Sequence, residues 1–147
     1  MDLKAFRCGA NVLAYKKNDQ LFGMTCAWAM MSGYTQVMML IGSQSETGNN
    51  IDLGDIVGIS ALACGQEKIA RIIGTTHSSK TNKFKDIKYH LDDNALLIDG
   101  AKVIMVAKVI KIDDIDGDHL ITFDIIRFKE DSKEDYLDGY NPKCYKE

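Results

Sequence analysis

Two long apolar segments joined by a short acidic loop restrict the folds open to this chain more than any other feature. Residues 101–112 are rich in Val and Ile, and residues 119–128 are rich in β-branched and aromatic side chains. The loop between them, residues 113–118, consists of Asp, Gly and a single Ile. β-Branched and aromatic residues favour extended backbone, whereas Asp and Gly favour turns. The pattern therefore predicts a long antiparallel β-hairpin.

Shorter apolar runs earlier in the chain predict further strands. Residues 10–15 and 21–29 flank a short polar segment with good turn chemistry, as in a hairpin. Residues 37–41 form a continuous apolar run, which is typical of a strand buried on both faces. Residues 56–63 predict another strand, in which Gly58 indicates a bulge or a close approach of another backbone.

Helical patterns are few. Residues 66–73 place Ile69, Ile72 and Ile73 at helical spacing, and Gly74 follows as a stop signal. A second short helix is predicted to begin near Thr47 and to run to about residue 53. Many short strands with one or two helices favour an antiparallel barrel over a parallel sheet, and closing the barrel removes exposed strand edges.

The remaining segments are polar, and they set the predicted domain limits. A chain of 147 residues has the length of a single domain. Residues 75–90 are polar and basic, and the segment from residue 129 onward is charged with little core-forming pattern. We expect one barrel domain over residues 1–128 and a charged C-terminal tail over residues 129–147, packing on a dimer partner.

Composition and missing motifs exclude several classes of protein. No apolar run approaches the roughly 20 residues of a membrane span, and no apolar signal segment follows the N-terminal charges. The expected location is therefore the cytoplasm. A net charge of −3 argues against nucleic-acid binding. The four cysteines lack metal-ligand spacing, and no nucleophile elbow, P-loop or Rossmann motif occurs.

A polar loop follows the buried run and carries the most chemical information. Residues 41–50 contain small hydroxyl and amide side chains directly after a strand. Hydroxyls and backbone N–H groups can hold a phosphate, but the same residues also cap helices. The basic residues between positions 68 and 90 are likewise open to two interpretations, a solvated face or a landing surface for a phosphate-bearing small molecule.

Four motifs, in order, resemble those of the flavin reductase-like FMN-binding split barrels. Residues 23–28 are Gly-Met-Thr-Cys-Ala-Trp, residues 41–47 are Ile-Gly-Ser-Gln-Ser-Glu-Thr, and residues 117–119 are Gly-Asp-His. The fourth motif is the helix at 66–73 with its trailing Lys83-Phe84. The resemblance covers most of the chain and implies a mainly β, antiparallel Greek-key split β-barrel with one or two short helices. It also implies a homodimer with FMN near the subunit interface.

The same resemblance assigns site residues. The strand residues expected along the isoalloxazine ring are Thr25, Cys26 and Ala27, with Trp28 at an aromatic position. The residues expected to bind the phosphate are Ser43, Gln44, Ser45 and Thr47. Ser43 and Gln44 stand where many relatives carry Lys or Arg, so a lysine between residues 80 and 85 is expected to help; Lys83 is the candidate. His119 is the expected catalytic residue, and the resemblance places it near the nicotinamide or flavin end, where it would help to position the nicotinamide.

Some of these residues also have plain structural interpretations. Thr25 fits an ordinary strand residue, Trp28 fits a core residue, and His119 fits a residue that stabilises the turn at Asp118.

The function implied is an FMN-binding oxidoreductase that passes electrons from NADH or NADPH through flavin to an acceptor. One alternative is a flavoredoxin-like electron carrier without efficient NAD(P)H oxidation. Its redox partner protein would be a separate chain, because no C-x-x-C pair occurs here. The other alternative is a non-enzymatic barrel that has lost the cofactor.

Overall fold

The structure, a computed structural model, describes residues 3–75 and 82–145. Nine strands dominate this part of the chain. They are β1 (Asn11–Lys17), β2 (Gln20–Cys26), β3 (Ala29–Gly33), β4 (Gln36–Ile41), β5 (Ile56–Ala61), β6 (Tyr89–Asp92), β7 (Ala95–Ile98), β8 (Val103–Ile115) and β9 (Asp118–Glu130). The helices are α1 (Glu46–Asn49), α2 (Glu67–Thr75) and a 3-10 helix (Pro142–Cys144). The predicted mainly β class is confirmed.

Two-residue turns connect the two best-defined hairpins. Asn18 and Asp19 have φ of 52° and 61° and join β1 to β2. Asp116 and Gly117 have φ of 50° and 92° and join β8 to β9. Positive φ at both central residues matches the right-handed twist of paired strands. The long hairpin predicted from residues 101–128 is therefore present, with a tighter turn than the acidic segment suggested.

All strand pairings are antiparallel, and the sheet branches at β1. The strand order is β3-β4-β9-β8-β5-β1-β7-β6, with β2 paired to β1 off this path. The first half of β1 pairs with β5, while Tyr15 near its end pairs with Ala95 of β7. β2 runs along the whole of β1 on the other edge. This branching gives the split-barrel architecture that the sequence motifs implied.

β1 supplies side chains to two separate cores. Val12 and Ala14 belong to one buried cluster, with α2, β7 and Phe84. Leu13 and Tyr15 belong to the other, with β4, β9 and the middle of β5. Successive strand residues face opposite sides of a sheet, so only a central strand can serve two cores in this way.

Several predicted boundaries were wrong. The strand predicted over residues 21–29 ends at Cys26, and Ala29 begins the separate strand β3. α1 ends at Asn49 instead of reaching residue 53. β6 and β7 were not predicted, because four-residue strands carry too little periodicity to stand out.

The tail also packs more closely than its composition suggests. β9 continues to Glu130, past the predicted limit at residue 128. Leu137 and Cys144 are buried in the first core, although the segment is charged overall. Within residues 3–75 and 82–145, no helix is long and apolar enough to cross a membrane.

Gly58 yields a prediction about stability. A Cβ atom at this position would overlap the carbonyl oxygen of Leu96 in β7 and lie 2.7 Å from its carbonyl carbon. β5 pairs with β8 without a register shift, so the close-approach interpretation is confirmed over the bulge. Moving the β7 backbone out of the way would be energetically costly. We therefore expect Gly58→Ala to lower the free energy of unfolding by about 1–3 kcal/mol or more.

Urea denaturation measures this loss, and Gly33→Ala is the matched control. The nearest atom to a Cβ at Gly33 is the Gln36 Cβ at 3.9 Å, so that variant should lie within about 0.5 kcal/mol of the parent. Equal stability of the two variants would contradict the packing argument.

Candidate functional site

A cleft of about 200 Å³ lies where the middle of β2, the loop around α1 and the C-terminal end of α2 meet. Its lining includes five of the residues predicted to contact flavin, Thr25, Gln44, Ser45, Thr47 and Lys83. These residues come from three segments that are distant in sequence. The fold therefore brings the predicted strand, loop and lysine into one site.

Lys83 is the best-buried charged group in this cleft. It is 8% exposed, and its Nζ donates hydrogen bonds of 2.8 Å to the carbonyl oxygens of Gly23 and Ile73. Burial lowers the pKa of the Lys83 amine to about 8, and the nearby Glu46 carboxylate partly opposes this shift. An ammonium has three N–H donors, so these two bonds leave one N–H for a ligand.

Several polar groups of the loop before α1 are already hydrogen-bonded within the protein. Ser45 Oγ accepts a 3.1 Å hydrogen bond from Gly48 N, which caps α1, and donates to Met24 Sδ at 3.2 Å. Ser45 N donates to Gly42 O at 3.1 Å. Ser45 therefore caps α1, and its N–H and O–H groups already donate within the protein instead of being open to a ligand. The exposed Gln44 side chain folds over Gly42, where a Cβ atom would collide with it.

Thr25 and Tyr15 position the walls of the cleft. Thr25 Oγ1 donates a 2.7 Å hydrogen bond to Ala70 O and so joins β2 to α2. The buried Tyr15 hydroxyl donates to Thr47 O at 2.6 Å and joins β1 to α1. Burial, with the nearby carboxylates of Asp55 and Asp52, raises the pKa of Tyr15, so it remains a neutral donor. Tyr15 was not predicted as a site residue, because its run looked like ordinary core.

The remaining strand residues of the predicted site lie outside the cleft. Cys26 is 5% exposed, its Sγ donates to Trp28 O at 3.4 Å, and burial raises its pKa to about 11. Its side chain therefore belongs to the core. Ala27 is half-buried in the short link between β2 and β3. Trp28 is 63% exposed, so the interpretation of Trp28 as a core residue was wrong.

His119 and Ser43 form part of a hydrogen-bond chain beside the cleft. Ser43 N donates to Asp118 Oδ1 at 3.0 Å, and Asn49 Nδ2 donates to Ser43 O at 2.8 Å. His119 Nε2 lies 3.1 Å from Asn49 Oδ1. The Asp-His turn thus holds the loop against the start of β9. His119 therefore contacts α1, whereas the turn itself is held by the 2.8 Å hydrogen bond from Gly117 N to Asp114 Oδ1, and the catalytic role of His119 stays a prediction.

The cleft carries two opposite charges. Among the lining residues that the structure describes, Lys83 is the only cation and Glu46 the only carboxylate. Glu46 stood inside the predicted phosphate loop, yet sequence reasoning did not single it out. Its acidic side chain could have identified it, because a carboxylate is unexpected in a loop predicted to bind a phosphate. Of the other lysines in the predicted stretch, Lys80 lies outside the described residues and Lys85 is exposed.

Comparison with solved structures shows the same fold in several flavin proteins. The NADH:FAD oxidoreductase SgcE6 of Streptomyces globisporus C-1027 has a TM-score of 0.78 at 20% identity, covering 85% of this chain and 76% of that one. Flavoredoxin from Methanosarcina acetivorans has a TM-score of 0.74 at 10% identity, covering 88% and 72%. An FMN-binding protein from Thermus thermophilus has a TM-score of 0.79 at 11% identity, covering 88% and 75%.

Sequence comparison identifies the family directly. A search of curated protein sequences found no match. The family model described as "Flavin reductase like domain" matches residues 6–141, which include the lining of the cleft, the second core and all of the first core except Cys144. The chain therefore belongs to the flavin reductase like domain family.

Proposed function

We propose that this protein is an FMN-binding oxidoreductase that passes electrons from NADH or NADPH through flavin to an acceptor. The observation that carries the proposal is the cleft itself, in which a buried lysine meets the β2 strand and the loop before α1. Family membership supports it, as do structural neighbours that include an NADH:FAD oxidoreductase and an FMN-binding protein.

The polar groups of the cleft suit a flavin with a sugar-like chain and a phosphate. Lys83 would bind the phosphate with its remaining N–H, and the exposed Gln44 amide is a second donor near it. The Thr25 and Ser45 hydroxyls already donate within the protein, so their oxygens would accept hydrogen bonds from ribityl hydroxyls. The β2–β3 link at Ala27 and Trp28 would flank the ring.

The chemistry needs little from the protein beyond binding and orientation. Bound flavin supplies the acceptor for a hydride from reduced nicotinamide, while the protein sets orientation and electrostatics. Cys26 stays a thiol at neutral pH because of its raised pKa, so it is not a nucleophile. Hydrogen bonds within the protein fix the positions of Lys83, Thr25 and Ser45. These three residues would hold the flavin in place.

A flavoredoxin-like electron carrier is the second candidate. The observation that favours it is that His119, the residue expected to position a nicotinamide, contacts Asn49 beside the cleft. A carrier needs no nicotinamide site, because it exchanges electrons with a redox partner protein. The two candidates share flavin binding and differ in the electron donor.

We further propose that two copies associate through the surface around β3. Met30 and Met31 are 63% and 56% exposed, although consecutive strand residues face opposite sides of a sheet. Both faces of this edge strand therefore lack cover. Trp28 and Tyr34 extend the exposed apolar surface, which a second copy would bury.

The proposed location is the cytoplasm. All four cysteines are free thiols, and Cys64 is exposed. Exposed thiols persist in reducing compartments, whereas oxidising ones favour disulfides.

Visible absorption spectroscopy tests the flavin proposal. We expect added FMN to show shifted absorption bands in the presence of the protein, and NADH or NADPH to bleach them. Bands that persist until dithionite is added would favour the electron carrier. A spectrum of FMN unchanged by the protein would contradict flavin binding and leave the non-enzymatic barrel.

The lowered pKa of Lys83 predicts a pH dependence of FMN affinity. The amine is charged below about pH 8, so phosphate attraction is present there and is lost as the pH rises through that value. We expect FMN to bind severalfold more weakly at pH 9.5 than at pH 7, and riboflavin, which lacks the phosphate, to change little.

Fluorescence titration of both flavins measures this difference. Lys83→Gln should bind FMN weakly at both pH values and show no such step. A step of equal size for riboflavin, or one retained in Lys83→Gln, would show that another group titrates.

Sedimentation analysis tests the dimer. We expect a particle of twice the 16.4 kDa chain mass at micromolar concentration. Met30→Glu should shift it toward the monomer, because a charge would be buried in an apolar contact. Leu53 is 65% exposed outside this surface, so Leu53→Glu is the matched control and should leave the mass unchanged. A monomeric parent protein would refute the dimer.

A further inference from the structure

The charges of this chain are unevenly distributed along its sequence. Residues 66–90 include six basic and two acidic residues, a net charge of +4, whereas the rest of the chain has 12 basic and 19 acidic residues, a net charge of −7. Residues 76–81, which the structure does not describe, contain one lysine and no acidic residue, so they cannot reduce the positive charge. A chain that is acidic overall therefore contains one strongly basic region.

The tertiary structure adds a further basic residue to this region. Lys68 and Arg71 are three residues apart in α2, so their side chains are neighbours on the helix. Arg71 Nη1 donates a 3.2 Å hydrogen bond to the carbonyl oxygen of Lys143, which brings the 3-10 helix of the tail to the same place. Lys68 and Lys143 are exposed, and Arg71 is half-buried.

The described residues before β6 return along α2. Lys83 Nζ donates to Ile73 O near the C-terminal end of the helix. At the other end, Lys88 O accepts a hydrogen bond from Asp99 N, and Asp99 O accepts one from Gln66 Nε2, directly before α2 begins. This segment therefore lies beside the helix from its end to its start.

Five basic residues on these elements form what we call the α2 surface: Lys68, Arg71, Lys85, Lys88 and Lys143. The lysines among them are all exposed. None of the five forms an ion pair with a residue that the structure describes. Their positive charge is therefore available to a partner.

Other basic residues of the chain already contact carboxylates. Lys17 Nζ lies 2.6 Å from Asp52 Oδ2, and Lys102 Nζ lies 3.5 Å from Glu130 Oε1. The two acidic residues within positions 66–90 offset only part of the positive charge there. Charge of one sign concentrated on one face attracts partners of the opposite sign and orients them before contact.

The α2 surface borders the candidate flavin cleft. The cleft is lined by Ile73, Gly74 and Thr75 at the end of α2, and by Lys83, which lies two residues before Lys85 of the α2 surface. A macromolecule bound to the α2 surface would therefore lie next to a flavin in the cleft.

The charge distribution favours a small acidic protein as the partner. A long polyanion such as nucleic acid would extend past the α2 surface and be repelled by the acidic remainder of the chain. A compact acidic protein can contact the basic region alone. Complexes between redox proteins bury small interfaces, and complementary charge makes their association fast.

We propose that the α2 surface is the docking site of a small acidic redox protein that takes electrons from the flavin. This inference rests on the proposed function and names the class of its acceptor. In the reaction, the reduced flavin is oxidised by two electrons and releases two protons. Two partner molecules, docking in turn, are each reduced by one electron.

A nuclear magnetic resonance titration of the isotope-labelled protein, without flavin, tests docking directly. The probe is ferric cytochrome b5, an acidic haem protein. At low salt we expect amide signals to shift in α2, in residues 82–88 and in the 3-10 helix. The dissociation constant should rise about tenfold on going from about 10 mM to about 300 mM salt, because salt screens exposed charges. Shifts confined to other elements, or no shifts, would overturn the proposal.

Charge-reversal variants make the test specific. Lys68→Glu combined with Lys143→Glu should weaken binding of cytochrome b5 at low salt about tenfold. Lys85→Glu combined with Lys88→Glu should do the same, so the test does not depend on one variant folding. Lys108→Glu is the matched control, because it reverses an exposed charge on β8, which lies outside the α2 surface, and it should stay within about twofold of the parent.

Stopped-flow absorption measures electron transfer in the FMN-loaded protein after reduction with dithionite. We expect the rate constant for reduction of cytochrome b5 to fall about tenfold in the same salt range, and in the double variants at low salt. Ferricyanide, a small anionic acceptor, should lose much less. An equal loss with ferricyanide would indicate a site for small anions and overturn protein docking. Tighter binding of a DNA oligonucleotide than of cytochrome b5 would also overturn it.

The outcomes separate this inference from the proposed function. If FMN binds but cytochrome b5 causes no shifts at the α2 surface, flavin binding stands and the docking site is refuted. If cytochrome b5 binds at the α2 surface but FMN does not bind, the proposed function fails, and the electron transfer proposed here fails with it.

Discussion

The burial of β1 on both faces is the constraint on which the rest of the structure depends. Its alternating side chains enter two cores, with Val12 and Ala14 on one side and Leu13 and Tyr15 on the other. Because β2, β5 and β7 all pair with this strand, a barrel forms that is split instead of continuous. The strand also reaches the candidate site, since the Tyr15 hydroxyl bonds Thr47 and the Lys17 amine bonds Asn50 O at 2.8 Å.

The cleft results from the way α2 is fastened to this framework. Thr25 and Lys83 both bond backbone carbonyls, and their contacts join β2 to the helix and its C-terminal end. Burying an amine costs free energy unless its hydrogen bonds are satisfied, and these two carbonyls satisfy most of them. The Lys83 amine that stabilises the cleft therefore has only one of its three N–H donors left for a ligand. A site built in this way suits a ligand with many modest contacts better than one held by a single strong charge.

Much of the fold follows from local pattern. The β1–β2 and β8–β9 hairpins, the strand β4 and the helix α2 all lie close to where apolar spacing and turn residues predicted them. Only one face of β4 is fully buried, however, and α2 runs through the predicted stop at Gly74 to Thr75. The misses share a physical cause. β7 is a four-residue strand, and the tail buries only isolated residues such as Leu137 and Cys144, so neither leaves a periodic signal. The cleft lining was predicted in part: the motifs singled out Thr25, Gln44, Ser45, Thr47 and Lys83, but not Glu46.

The sequence by itself determined the strand-rich class, the family motifs and the residues with suitable chemistry, because these depend on neighbours along the chain. Only the tertiary structure decided which of those residues meet. It placed His119 against Asn49 beside the cleft, buried the Cys26 thiol in a core, and set Glu46 in the same cleft as Lys83. Such meetings depend on sheet order and on long-range contacts such as that of Tyr15 with Thr47. Charge interactions act through space between distant segments, so spacing along the chain carries no record of them.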